Sequence, residues 1–104
     1  MKEMVEWMTF MELLQEDPRI GPMHISLVVA IVRLWSGQGF ANPVDVSARK
    51  LMPRAKIGGS GPYHRTIRQL DEYGYIRYEP SYNPEVPSRV YLEMAGVKIC
   101  GKSG

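Results

Sequence analysis

Between Gly58 and Gly74 the chain spells one helix and then changes period. Tyr63, Ile67 and Leu70 recur at i, i+4 and i+7, the spacing of a single buried helix face. Ser60, Gly61, His64, Arg65, Arg68 and Gln69 fall on the opposite side and make it wet and basic. Gly59 or Ser60 caps the start, and Pro62 suits the first turn. The helix is expected over residues 60–73, ended by Gly74. Directly afterwards, Tyr75-Ile76-Arg77-Tyr78-Glu79 is short, aromatic and β-branched, which reads as a strand. A helix feeding a strand through one glycine leaves little room for an all-helical or all-strand fold. The expected class is α+β, mainly helical.

The rest of the chain supplies the partners. From Lys2 to Gln15, polar residues recur at Glu3, Glu6, Thr9, Glu12 and Gln15, and nearly everything else is apolar. This predicts a helix with a thin wet stripe and a wide dry face. Such a face suits packing within the domain, or a dimerisation helix over residues 1–16. Asp17-Pro18 and Gly21-Pro22 break it. From Met23 to Ser36, apolar residues surround the axis and Arg33 is the one charge. The β-branched run also suits a strand, but its length without turn signals favours a buried helix. His24, at its start, reads as structural or solvated. A short helix from Ala48 to Met52 follows the Asn42-Pro43 turn, capped by Ser47 and stopped by Pro53. After a proline-studded loop from Pro80 to Pro87, Arg89-Val90-Tyr91-Leu92-Glu93 is the second strand. Two strands alone are marginal and must pack on the helices.

At 104 residues, with 44% hydrophobic and 23% charged, the chain fits one globular domain, placed at residues 1–94. Residues 95–104 are expected to be a flexible tail. Cys100 is the only cysteine, so no internal disulfide framework or cysteine-rich zinc site is expected. The apolar stretch Ile25–Trp35 contains Ser26 and Arg33 and falls short of the ~20 residues of a membrane span. The acidic N-terminus lacks the basic region of a signal peptide, so a cytoplasmic location is expected. The net charge of +2 hides an uneven distribution. Residues 1–24 carry two bases against five acids, and residues 49–78 carry seven bases against two acids. A basic centre beside an acidic N-terminus suggests a face that meets an anion.

A short helix, a turn and a second helix with an exposed basic face form a helix-turn-helix, and a following two-stranded hairpin makes it a winged helix. The run Ser60-Gly61-Pro62-Tyr63-His64-Arg65-Thr66-Ile67-Arg68-Gln69-Leu70-Asp71-Glu72-Tyr73-Gly74-Tyr75-Ile76 resembles the recognition helix of bacterial winged helix-turn-helix DNA-binding proteins. The likeness extends over roughly residues 44–92, and the whole chain resembles small winged-helix proteins of bacterial mobile elements. The resemblance implies a winged helix-turn-helix with an extra N-terminal helix and a two-stranded C-terminal wing. It also implies a transcriptional regulator, or an accessory factor of plasmid replication or mobile-element excision.

The residues make the same sense in physical terms. An α-helix fits the B-DNA major groove, and its N-terminal residues reach base edges. Ser60 and Gly61 stand at a helix start, where free N–H groups attract phosphate. His64, Arg65, Arg68 and Gln69 lie on the wet side, with Arg68 suited to guanine and Gln69 to adenine. Lys50, Arg54 and Lys56 flank the helix and suit phosphate contacts, and Arg89 is the expected contact from the wing. Tyr63 reads as core rather than a base-stacking residue, and Tyr78 and Tyr82 as hairpin packing, with stacking or a backbone contact as the alternative. The expected partner is double-stranded DNA, bound by a homodimer. The rival reading is a winged helix used for protein–protein contact without DNA.

Enzymatic readings are thin. Residues 96–103 match the letters of the phosphate-binding loop G-x-x-x-x-G-K-[ST], but only Gly104 follows, and the pattern needs a helix there. A flexible basic tail is the expectation instead. Two histidines, one cysteine and scattered acids show no nucleophile–base pairing and no metal-ligand spacing. No catalytic, metal or cofactor-binding residues are expected, and no cofactor.

Overall fold

The computed structural model describes residues 2–83, 85–94 and 97–98, with side chains described for residues 7–83 and 85–92. The elements run in the order α1 (Lys2–Glu16), α2 (Pro22–Gly37), β1 (Val44–Val46), α3 (Ala48–Ala55), α4 (Ser60–Glu72), β2 (Ile76–Glu79), β3 (Ser88–Met94) and β4 (Val97–Lys98). The architecture is α+β and mainly helical, with an antiparallel sheet ordered β1-β3-β2 and β4 against the end of β3.

α1 contributes Phe10 and Leu14 to the core, both fully buried, and Trp7 stacks on Phe10 at 5.4 Å. Part of its dry face is thus used inside the domain. Met8 and Leu13 remain exposed. The Asp17 carboxylate closes the following turn by accepting from the Arg19 backbone N–H at 2.9 Å and from its guanidinium at 2.7 Å. Those bonds, joined by the Tyr75 hydroxyl, hold the Asp17 carboxyl well below the usual carboxylate range.

α2 is the central helix, burying Leu27, Val28, Ala30 and Ile31. Pro22 occupies its first turn, where a missing N–H costs nothing. The Ser26 hydroxyl donates to the Ala55 carbonyl and ties α2 to the end of α3. Among the described residues, no helix is long and apolar enough to cross a membrane.

α3 begins as expected, with Ser47 Oγ accepting from the Lys50 N–H at 3.2 Å. It does not stop at Met52. It continues through Pro53 to Ala55, and Pro53 points its exposed ring to solvent. A closing turn ends it, with Ile57 N–H donating to Met52 O at 2.9 Å. Lys56 occupies the left-handed position of this turn, at φ 62°.

α4 buries Tyr63, Thr66, Ile67 and Leu70, as its period predicts. Gly74 closes it at φ 89°, with Tyr75 N–H donating to Leu70 O at 3.0 Å. Asp71 Oδ2 then accepts from the Tyr78 N–H at 3.1 Å, fixing β2 against the helix that precedes it.

The sheet differs from the expected two-stranded wing. β2 and β3 do pair, in the register Ile76↔Leu92 and Tyr78↔Val90, but β1 adds a third strand through Val44↔Val90 and Val46↔Ser88. Val44, Val46, Ile76, Val90 and Leu92 line the buried face. Two side chains extend the pairing. Asn42 Oδ1 accepts from the Leu92 N–H at 3.1 Å, where the next β1 residue would stand. Gln38 grips Asp45 at both its carbonyl (2.8 Å) and its N–H (3.0 Å), so β1 does not present a bare edge there. Of the expected tail, Val97 and Lys98 form β4 opposite Met94 and Glu93. Cys100 and most of the 96–103 loop pattern lie outside the described residues.

Candidate nucleic-acid interface

Six of the predicted site residues come together on one face of α4. Ser60, Gly61, Arg65 and Arg68 are exposed, and His64 and Gln69 are half-buried. Gly61, His64, Arg65, Arg68, Gln69 and Glu72 line one open groove of about 520 Å³. The cause is the helix period, which turns Tyr63, Ile67 and Leu70 inward and leaves this row outside.

The start of α4 has no side-chain cap on Gly59. Gly61 opens onto free space, with nothing within 4 Å of where a Cβ would stand. An uncapped helix N-terminus bordered by small residues leaves its first N–H groups open to an anion.

The basic side chains here are not consumed by neighbours. Among the described residues the ion pairs are Arg19–Asp17 and Arg77–Glu79, and neither involves α3 or α4. His64 is oriented from within its helix. Its Nδ1 lies 2.8 Å from the Ser60 carbonyl, which can only accept, so Nδ1 carries the hydrogen and Nε2 is the other ring nitrogen. Tyr63 lies beneath it, ring edge to ring face at 4.9 Å, and is 1% exposed. Burial pushes the Tyr63 hydroxyl up, so it stays neutral and belongs to the core.

Gln69 behaves differently from its neighbours. Its Oε1 lies 2.7 Å from Nε2 of His24 on α2. Paired recognition of adenine needs both ends of a glutamine amide, and here one end is engaged.

The flanking cations divide. Lys50 and Arg54 lie on α3 and share a cleft of about 360 Å³ with Arg33, from the C-terminal half of α2. The Arg54 guanidinium donates to the Lys50 carbonyl at 2.9 Å, which steadies it in the cleft. Lys56 is exposed on the turn that leads into α4. Arg89 stands apart from these groups. It lies on the outer face of the sheet, directly between Asp45 on β1 and Glu79 on β2. Two acidic neighbours offset its attraction for a phosphate.

Sequence reasoning missed Arg33 and gave the loop tyrosines to hairpin packing before a contact role. Arg33 joins Lys50 and Arg54 only because α2 and α3 cross, which no spacing along the chain reveals. The loop after β2 also closes on α4. Tyr78, Ser81, Tyr82 and Asn83 line a groove of about 360 Å³ with His64 and Arg68. Tyr78 is half-buried, whereas Tyr82 is 89% exposed and takes little part in hairpin packing. A tyrosine in a proline-rich loop was the available signal.

No protein-family model, curated protein or solved structure matches this chain.

Proposed function

We propose that this protein is a winged helix-turn-helix that binds double-stranded DNA with sequence preference by inserting α4 into the major groove. α3, the Lys56–Gly59 turn and α4 serve as the helix-turn-helix, and β2, the loop and β3 serve as the wing. Arg65 and Arg68 read base edges, while Lys56 and the free N–H groups of Ser60 and Gly61 meet phosphates. Lys50, Arg54 and Arg33 hold the backbone beside that contact. Arg89 is left out, because Asp45 and Glu79 flank it.

The observation that carries this reading is the exposed row on α4. Arg65 and Arg68, free of ion pairs among the described residues, stand beside an uncapped helix start bordered by glycine. The role that follows is occupancy of a site, as a cytoplasmic transcriptional regulator or an accessory factor of plasmid replication or element excision. Two copies join through residues 1–16, where Met8 and Leu13 are exposed. Sedimentation tests this pairing, and a monomer at high concentration removes it.

Anisotropy of a labelled random duplex tests the DNA reading. Affinity falls by a few hundred-fold (~10²–10³) between 50 and 200 mM salt if about five phosphates are neutralised. Absence of binding at low salt favours an acidic protein partner instead.

A further inference from the structure

Three groups in sequence fix which way the Gln69 amide faces. The Gly21 backbone N–H donates to His24 Nδ1 at 2.9 Å. A backbone amide nitrogen only donates, so Nδ1 holds no hydrogen and the ring hydrogen is on Nε2. Nε2 lies 2.7 Å from the Gln69 side chain. An N–H needs an acceptor opposite, so the amide oxygen faces the ring. Turning the amide over would set donor against donor.

The consequence lies on the other side of the amide. Gln69 borders the groove of Gly61, Arg65 and Arg68, and with its oxygen held against His24 the NH₂ group is the end left for that groove. A free glutamine matches adenine by accepting from N6 and donating to N7. With its oxygen held at His24, Gln69 cannot swing that oxygen freely to adenine N6, which weakens the first half of that match. Guanine presents only acceptors, N7 and O6, on its major-groove edge.

We propose that Gln69 is a specificity-determining residue that selects guanine over adenine, and that His24, which does not touch DNA, is the positioning residue that sets this choice. The inference rests on the duplex-binding reading above.

Site selection from a randomised duplex library tests it. The wild-type protein is expected to select guanine at one position, and Gln69→Ala to erase the preference there alone. His24→Phe keeps the ring and removes both bonds. It is expected to move that position toward adenine by about tenfold, while a merely structural histidine would weaken all sequences alike. Gln69→Glu keeps an acceptor for His24 Nε2, so it serves should His24→Phe fail to fold. It is expected to shift the position toward cytosine, whose N4 donates. Unchanged preference in a folded variant, or adenine selected by the wild type, overturns the inference and leaves DNA binding standing. Absence of any sequence preference in the wild type overturns both. The ¹⁵N signals of His24 give a readout without DNA: a hydrogen on Nδ1 rather than Nε2 overturns the orientation itself.

Discussion

The hydroxyl of Tyr75 donates a 2.7 Å hydrogen bond to Asp17 Oδ2, joining the turn after α1 to the residue that leads into β2. Phe10 sets its ring against Tyr75 at 5.9 Å, edge to face, so polar and apolar contacts hold the same seam. Arg19 completes it, lying over the Tyr73 ring at 4.2 Å. The C-terminal end of α4 is thereby fastened to the N-terminal helix.

This seam makes stability depend on acid. The Arg19 guanidinium, the Arg19 N–H and the Tyr75 hydroxyl lower the Asp17 pKa, so the folded state binds its proton less readily than the unfolded chain. The contribution is present above the ordinary value of 3.8 and is lost as pH falls through and below it. Tyr75 shifts the other way, to about 12, through burial first and then its bond to Asp17. Its contribution is present below its ordinary value of 10.0 and fades as pH rises from there toward 12. Melting temperature against pH checks both. Asp17→Asn flattens the acid limb and lowers the melting temperature at neutral pH.

α1 is structural as well as a candidate interface. Phe10 is fully buried. Phe10→Ala costs about 3–5 kcal/mol in urea unfolding, the cost of an emptied aromatic site. A loss under 1 kcal/mol would show that α1 is an appended arm.

Lys56 separates stability from binding. Its backbone is left-handed at φ 62°, which costs a side-chain-bearing residue about 1 kcal/mol relative to glycine. Lys56→Gly therefore raises stability by roughly that amount. On the proposed reading it also removes a phosphate contact, so the log–log salt slope of DNA binding becomes shallower by about 1. Chemical unfolding and anisotropy on the same sample check the two effects.

Arg68 and Arg89 are both exposed arginines but differ in setting. Arg68→Ala weakens binding to a selected site by about 1–3 kcal/mol and relaxes preference at one base. Arg89→Ala, between Asp45 and Glu79, changes affinity by less than about 0.5 kcal/mol.

α4 was legible because its signals agree: glycines at both ends, an i, i+4, i+7 buried row and a basic remainder. β1 was not. Val44–Val46 is too short for its alternation to stand out, and its pairing is completed by the side chains of Gln38 and Asn42. Pro53 misled because a proline predicts a stop, while here α3 runs on through it to Ala55 with its ring on the exposed side. The candidate site was legible residue by residue on α4, where the helix period gathers it. Contacts that cross between elements were hidden, as His24 and Gln69 are 45 positions apart and Arg33 meets Lys50 only in space.

The central claim is that α4 meets duplex DNA through unpaired cations and an open helix start. The salt dependence of duplex affinity measures it most directly. The account predicts a straight log–log line with a slope of roughly −4 to −5, made shallower by about 2 in the double variant Lys50→Ala, Lys56→Ala. A flat line, or a slope that this variant leaves unchanged, would contradict it.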